Sequence, residues 1–212
     1  MNSGPDTPSG SHYFSERPSR ESRRDEFDMV VGDTTLTLAT DSGVFSQHGL
    51  DKGTRVFLET MVRRDLPAAE PGATLCDLGC GTGALALALA VLYPACRVVA
   101  VDVNERARRL CTENAASNRL DNVSVISPDE FDADSRIALL WSNPPIRIGK
   151  DALHELLSTW LSRLSPDGTA QLVVGKNLGA DSLTAWLNDN GYRASKIASS
   201  KGFRVLEVRP VQ

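Results

Sequence analysis

A chain of 212 residues with 41% hydrophobic and 24% charged side chains has room for one α/β domain with a sizeable core, but hardly for two. A formal net charge of −4 argues against a protein that simply coats nucleic acid. The longest apolar run, Ala84 to Tyr93, is too short to span a bilayer, and the N-terminus has no apolar signal-peptide core, so a cytoplasmic protein without membrane contact is expected. The four cysteines, Cys76, Cys80, Cys96 and Cys111, form no C-x-x-C pair and have no matching histidine pair. Reduced, packed thiols are therefore expected, with no metal and no disulfide framework.

Taken in chain order, residues 1–26 are rich in Ser, Pro, Gly and Arg and nearly lack aliphatic side chains, which predicts a disordered tail ahead of a domain over 27–212. His12 and Tyr13 lie in it without partners in sequence, and its arginines, Arg17, Arg20, Arg23 and Arg24, are cancelled by five acids. Thr34 to Thr40 alternates apolar and polar residues, as a half-buried strand does. The turn-rich segment Ser42 to Thr54, which contains His48, leads into a helix at about Thr54 to Arg64 and is suited to fold over a ligand as a lid.

The apolar run Ala73 to Leu78 ends in Asp77-Leu78-Gly79-Cys80-Gly81-Thr82-Gly83, and the apolar segment Ala84 to Tyr93 follows at once. That pattern predicts a strand, a tight loop and a helix. The glycines allow a sharp turn and close approach of a ligand, while the helix start presents free N–H groups, so a cofactor is expected there. The acid precedes the glycines, unlike the G-x-G-x-x-G spacing of dinucleotide sites, and no Gly-Lys-Ser/Thr follows to hold a triphosphate.

A second strand, Arg97 to Val101, ends in Asp102, a carboxylate placed to accept hydrogen bonds from a ribose. A helix over Glu105 to Asn118 and a strand over Val123 to Ser127 continue the alternation, which calls for a parallel sheet with right-handed crossovers. Beyond that strand, Asp129 is placed to accept from an adenine amino group, with Glu130 and Asp132 as close rivals. Ile137 to Ser142 is the fourth strand of the series. A one-faced stripe over Asp151 to Leu164 predicts a helix with Trp160 in the core. Pro166-Asp167-Gly168 then turns into a strand over Thr169 to Val174. Leu183, Trp186 and Leu187 mark another helix, ended by Asn190-Gly191. Tyr192 to Ala198 and Phe203 to Val208, linked by Ser199-Ser200-Lys201-Gly202, read as a closing hairpin.

The fourth strand runs into Asn143-Pro144-Pro145-Ile146. Two consecutive prolines stiffen this loop and offer carbonyls without N–H groups. If the Asn143 side-chain oxygen and the Pro144 carbonyl each accept one N–H of an amine whose lone pair is delocalised, the nitrogen is held with that lone pair aimed at an electrophile. Neither a metal nor a strong base is required.

The stretch Asp77 to Gly83 resembles motif I of the class I S-adenosylmethionine-dependent methyltransferases. Together with Gly43-Val44-Phe45-Ser46, Leu50-Asp51-Lys52-Gly53-Thr54, Asn143 to Lys150 and Gly202-Phe203-Arg204-Val205-Leu206, it makes the chain similar to the RsmC-type ribosomal RNA small-subunit guanine N2-methyltransferases from about Thr34 to Val208. The resemblance implies a Rossmann-like α/β fold: a seven-stranded, mostly parallel sheet with an antiparallel last strand and helices on both faces. It implies S-adenosylmethionine as methyl donor and a guanine of ribosomal RNA, or of the small ribosomal subunit, as acceptor. By position it assigns Asp77, Gly79, Gly81 and Gly83 to the cofactor, Asp102 to its ribose, and Asn143 and Pro144 to the target amine. Pro145, Ile146, Arg147 and Lys150 fall on the substrate side. Arg147, Lys150, Lys176 and Arg204 are candidates for phosphate contacts. Well-known bacterial members carry an additional N-terminal methyltransferase-like domain, whereas only the catalytic module is expected here, and many relatives have an aromatic residue where this chain has Ile146. From Asn143 onward there are nine Lys/Arg against six Asp/Glu, while Phe27 to Ser142 holds ten against sixteen. That asymmetry suits a polyanionic substrate. Methylation of a protein glutamine and a non-catalytic, cofactor-binding ribosome-assembly module are the alternatives.

Overall fold

The computed structural model describes residues 24–41 and 49–211. His12, Tyr13, the arginines before Arg24, and the Ser42 to His48 part of the expected lid lie outside them. The first described element is not tail. Strand β1 (Arg24–Val31) pairs antiparallel with β2 (Thr34–Asp41) through a two-residue turn, Gly32-Asp33, with Gly32 at φ +57°. Phe27, Met29 and Val31 alternate inward, a period-two signal in a stretch whose start looks polar. Backbone pairing needs no apolar side chains, so the ladder extends through Glu26, Asp25 and Arg24, and Arg24 ends in an ion pair with Glu113 at 3.0 Å.

The remaining elements follow as α1 (Lys52–Met61), β3 (Thr74–Leu78), α2 (Ala84–Leu92), β4 (Arg97–Val101), α3 (Glu105–Ser117), β5 (Val123–Ile126), β6 (Ile137–Ser142), α4 (Lys150–Leu161), β7 (Leu164–Gly175), α5 (Ala180–Asp189), β8 (Tyr192–Ser200) and β9 (Phe203–Pro210). Seven strands form one sheet in the order β5-β4-β3-β6-β7-β9-β8, with β9 antiparallel to both neighbours and the pairs from β5 to β7 parallel. This is the expected Rossmann-like methyltransferase sheet with an antiparallel last strand.

Alternation along the strands divides the core between the two faces. On β3, Leu75 packs with α1, α2, α3 and the β1–β2 hairpin, while Cys76 and Leu78 pack with α4 and α5. Helix α2 packs on β3, β4 and β5 of the sheet, with α1 and β1 of the hairpin also against it. Its side chains Ala84 to Ala90 are all buried, as an all-round apolar helix requires. All four cysteines are buried and unbridged, and Trp160 is a core residue, 2% exposed, edge-on to Phe131. Among the described residues no helix is long and apolar enough to cross a membrane.

Three expected boundaries move. Leu164 leaves the α4 stripe to begin β7. Pro166-Asp167-Gly168 is a bulge inside β7 rather than a turn before it, with the register slipping between Ile137 and Leu139 of β6. In the final hairpin Ser199 and Ser200 belong to β8, and the turn is only Lys201-Gly202, both at positive φ, +50° and +82°. That two-residue geometry matches strand twist better than a four-residue link.

Helix α3 is joined to the hairpin by two asparagines one turn apart. Asn118 accepts from the Thr37 N–H (3.1 Å) and donates to the Thr37 carbonyl (2.8 Å). Asn114 does the same at Ala39 (2.8 and 2.9 Å) and also donates to the Thr82 carbonyl of the glycine loop (2.8 Å). The two amides thus continue the ladder of β2, and Asn114, 2% exposed, links the hairpin to the loop. Asn114→Ala strands three backbone groups and should cost about 3 kcal/mol. Asn118→Ala, at a half-buried position, should cost about 1 kcal/mol. Chemical denaturation of both variants measures the difference.

Candidate active site

Strands β3 and β6 are neighbours, and Leu78 pairs with Ser142. The Ser142 hydroxyl donates to the Leu78 carbonyl at 2.7 Å. Gly79 and Asn143 therefore leave the sheet side by side, where the strand order reverses and the following helices pass to opposite faces. This crevice beyond the carboxyl ends of the strands is where open α/β sheets bind ligands.

The loop after β3 has Gly79, Gly81 and Gly83 at φ +77°, +55° and +88°, a region unfavourable to any residue with a Cβ. Their surroundings differ. A Cβ on Gly79 or Gly81 would meet no described atom within 4 Å, so these two face open space suited to a ligand. A Cβ on Gly83 would stand 2.6 Å from the Cys111 sulfur, so this glycine serves close packing of the loop on α3. The Gly81 N–H donates to Asp102 Oδ2 at 2.9 Å, and Asp102 Oδ1 accepts from the Asn104 N–H at 2.8 Å. The carboxylate at the end of β4 thus shapes the loop as well as facing the place expected for a ribose.

Asp77 is 1% exposed. Its Oδ2 accepts from the Ala86 N–H in the first turn of α2 at 2.8 Å, and its Oδ1 is buried with no partner among the described residues. Asp77, Gly79, Gly81, Thr54 and Asn143 line one cleft. A buried carboxylate oxygen without a partner, two glycines facing open space and an acid at the next strand end fit a cationic nucleoside ligand such as S-adenosylmethionine. Burial pushes the Asp77 carboxyl up to about 8; the Ala86 hydrogen bond works against this, and neighbouring Asp102 adds to it. Asp102 is also raised, by burial first, against the opposing hydrogen bonds of Asn104 and Gly81.

The ends of β4 and β5 are joined by the Asp102 N–H to the Ile126 carbonyl at 3.3 Å. Beyond β5 lies a short 3-10 turn, Pro128–Glu130. Glu130 is occupied as its capping acid, accepting from the Ser127 N–H and hydroxyl, both at 2.7 Å. Asp132 accepts from the Asp134 N–H (3.1 Å) and the Ser135 hydroxyl (3.0 Å). Asp129, the acid placed for the adenine, is exposed at this turn as Glu130 is, with its carboxyl held below the usual range chiefly by hydrogen bonding to Ser127.

On the β6 side, Pro145 sits at φ −75°, ψ 72°, an inverse γ-turn in which the Pro144 carbonyl accepts from the Ile146 N–H at 2.8 Å. One lone pair of that carbonyl is thus used locally, and a short 3-10 turn, Ile146–Ile148, stiffens the loop. Asn143 Nδ2 donates to Asp51 Oδ2 at 2.9 Å and to Thr54 Oγ1 at 3.1 Å, which turns its Oδ1 away from Asp51. Neither Asp51 nor Thr54 is singled out as a site residue by the sequence, although both fall in the stretch Leu50 to Thr54 that carries part of the family resemblance. Ile146 and Lys150 line a neighbouring cavity of about 190 Å³ with Leu153, His154 and Leu183 instead of the glycine-loop cleft. There His154 stacks on Trp186 at 3.8 Å, and burial and Lys150 lower its pKa. Arg147, Lys150 and Lys176 are exposed, as phosphate contacts must be. Arg204 is not: its side chain is 14% exposed and paired with Asp181, because its strand β9 is interior to the sheet.

The raised Asp77 carboxyl makes stability depend on pH. In the unfolded chain it ionises near 4, whereas in the fold it holds its proton to about 8. Between those values the folded state binds more protons than the unfolded one, so stability should fall as pH rises from about 4 to about 8 and level off above. Asp102 contributes in the same direction. Asp77→Asn should flatten that decline, as unfolding free energies across this pH window will measure.

The family model for the methyltransferase small domain matches residues 35–207. The chain is 32% identical over 203 residues to the uncharacterized protein YbxB of Bacillus subtilis (strain 168), covering 94% of this chain and 98% of that protein. It is 30% identical over 197 residues to ribosomal RNA small subunit methyltransferase C of Pseudomonas aeruginosa (strain LESB58), covering 91% of this chain but 56% of that one. The chain thus spans nearly all of YbxB and about half of the longer enzyme. Among solved structures it superposes on the T. thermophilus 16S rRNA N2 G1207 methyltransferase, determined with AdoMet and guanosine, with a TM-score of 0.73, 22% identity, and coverage of 92% of this chain and 52% of that one. At that identity the superposition speaks for the fold alone. Sequence motifs, sheet order and the match over 35–207 agree: the chain belongs to the methyltransferase small domain family of class I S-adenosylmethionine-dependent methyltransferases.

Proposed function

We propose that this methyltransferase transfers a methyl group to an exocyclic amino nitrogen, N2 of a guanine in ribosomal RNA, in the cytoplasm. The observation that carries the reading is Asn143. It leaves the sheet beside Gly79, lines the same cleft as Asp77, and has its amide nitrogen held by Asp51 and Thr54 so that its oxygen is the end left to accept from a substrate. The choice of ribosomal RNA is supported by the relatives named for ribosomal RNA small subunit methylation and by the exposed basic side chains Arg147, Lys150 and Lys176 beyond the loop, and the choice of guanine N2 rests on the resemblance of the Asn143 to Lys150 stretch to the RsmC-type enzymes.

When bound, S-adenosylmethionine supplies an electrophilic methyl on a positively charged sulfur. The chain's own work is to hold both partners. Asp77, Gly79 and Gly81 form the cradle, with Gly83 seating the loop on α3, Asp102 receives the ribose hydroxyls, and Asp129 receives the adenine amino group. Asn143 Oδ1 and the remaining lone pair of the Pro144 carbonyl accept the two N–H bonds of the guanine amine. That arrangement aims the nitrogen lone pair at the methyl carbon, opposite its bond to sulfur, and stabilises the positive charge that develops on nitrogen as the N–C bond forms and the C–S bond breaks, its electron pair staying with the departing neutral thioether. The cationic nitrogen then readily releases one of its protons to water. Pro145 keeps the loop rigid.

The test is incubation of the purified protein with methyl-labelled S-adenosylmethionine and unmodified ribosomal subunits or ribosomal RNA, followed by digestion to nucleosides. N2-methylguanosine is the expected product; label in protein, or none with cofactor bound, would refute the reading. Asn143→Ala should lower turnover by about 10²- to 10³-fold while calorimetric affinity for the cofactor stays close to that of the parent protein. Asp102→Ala should weaken cofactor binding first, and an unaltered affinity would remove Asp102 from the site.

A further inference from the structure

We propose that Asp51 is a positioning residue that sets which end of the Asn143 amide faces the substrate. The proposal rests on the amine-holding role of Asn143 given above.

A side-chain amide has nearly the same shape when rotated by half a turn, so packing alone does not decide whether its oxygen or its nitrogen faces the acceptor site. The distinction is decisive for chemistry. With the oxygen toward an amine, the amide accepts an N–H; with the nitrogen there, two donors confront each other and the amine is repelled. Something in the protein must therefore discriminate oxygen from nitrogen. Thr54 cannot do so, because a hydroxyl both donates and accepts. The Asp51 carboxylate can, since it accepts only: at 2.9 Å it welcomes Nδ2 and would repel Oδ1.

Asp51 is itself tightly held. It is the N-cap of α1, and the same Oδ2 accepts from the Gly53 N–H at 2.8 Å and the Thr54 N–H at 3.2 Å. One oxygen atom thus ends a helix and orients the amide at the tip of β6, 92 residues away in sequence. The start of α1 is in turn fixed from behind: an added Cβ on Gly53 would lie 3.1 Å from the Phe203 ring, so the helix end is seated closely on β9. The register between α1 and the Asn143 loop is therefore part of the acceptor site, although α1 supplies none of the groups expected to touch the base.

Two substitutions separate the capping role from the orienting role. Asp51→Ser retains a good N-cap, but its shorter hydroxyl can donate as well as accept and no longer selects the amide end. Asp51→Asn retains a capping oxygen long enough to accept from Asn143. In the labelled-methyl assay on ribosomal RNA, Asp51→Ser should lower kcat by about 100-fold with the cofactor Kd little changed, whereas Asp51→Asn should keep the greater part of turnover. Added to Asn143→Ala, Asp51→Ser should cost nothing further, since there is then no amide to orient.

A second readout needs no turnover. In ¹⁵N-labelled protein, the Asn143 side-chain NH₂ resonances, identified by their loss in Asn143→Ala, should shift and exchange faster in Asp51→Ser and stay near their original positions in Asp51→Asn. Turnover in Asp51→Ser equal to that of the parent, equal loss in both substitutions, or NH₂ resonances unmoved in the serine variant would each overturn the proposal. If Asn143→Ala stays active, the amine-holding reading itself has failed. If it is inactive while Asp51→Ser is fully active, only the orienting role is lost.

Discussion

The reversal of strand order between β3 and β6 is the constraint on which the site depends. Leu78 and Ser142 are paired and tied by a buried side-chain hydrogen bond at 2.7 Å, yet the helices that follow them, α2 and α4, pack on opposite faces of the sheet. Two strands held together to their last residue must then part abruptly. The opening has a backbone loop of glycines on one lip and an asparagine-proline loop on the other. The two loops proposed to hold donor and acceptor are brought within one crevice by topology, before any side chain is chosen.

The polar groups around the crevice are shared between fold and chemistry. Asp77 holds the first turn of α2 through Ala86 while its other oxygen has no partner among the described residues. Asp102 shapes the glycine loop through Gly81, and Asp51 caps α1 while it holds Asn143. An oxygen with two lone pairs can serve two masters when its structural donors are backbone N–H groups already fixed by secondary structure. The arrangement has a cost in the ligand-free protein, where Asp77 and Asp102 are disfavoured as anions by burial. A cationic ligand in the cleft would relieve that cost, as the proposed cofactor role of these two acids requires.

A second layer supports the first. Asn114 joins the glycine loop to the β1–β2 hairpin, and Gly83 lets the loop lie against Cys111 of α3. Trp141 donates to Gln171 at 2.7 Å and meets Phe57 edge-on, so the strand that delivers Asn143 is locked to both β7 and α1. The Asn143 loop is rigid because its neighbours on both sides are.

Much of this was legible in the residues alone. The period-two and period-3.6 patterns located β3 to β6 and α2 to α4 within a few residues, and the spacing of Asp77, three glycines, Asp102 and Asn143 set each at the end of its strand, because turn chemistry and periodicity are local properties of the chain. Local pattern misjudged the start of β1, whose polar first residues are ordered by backbone pairing, and assigned Leu164 to a helix that ends before it. What only the tertiary structure decided are the long-range partnerships: Asp51 with Asn143, Asn114 with Ala39 and Thr82, and Arg204 with Asp181 instead of a phosphate. Those outcomes follow from which strands lie side by side and which helix ends face them, and sheet order is set by the burial of the whole core, a sum over distant residues that no short stretch of sequence contains.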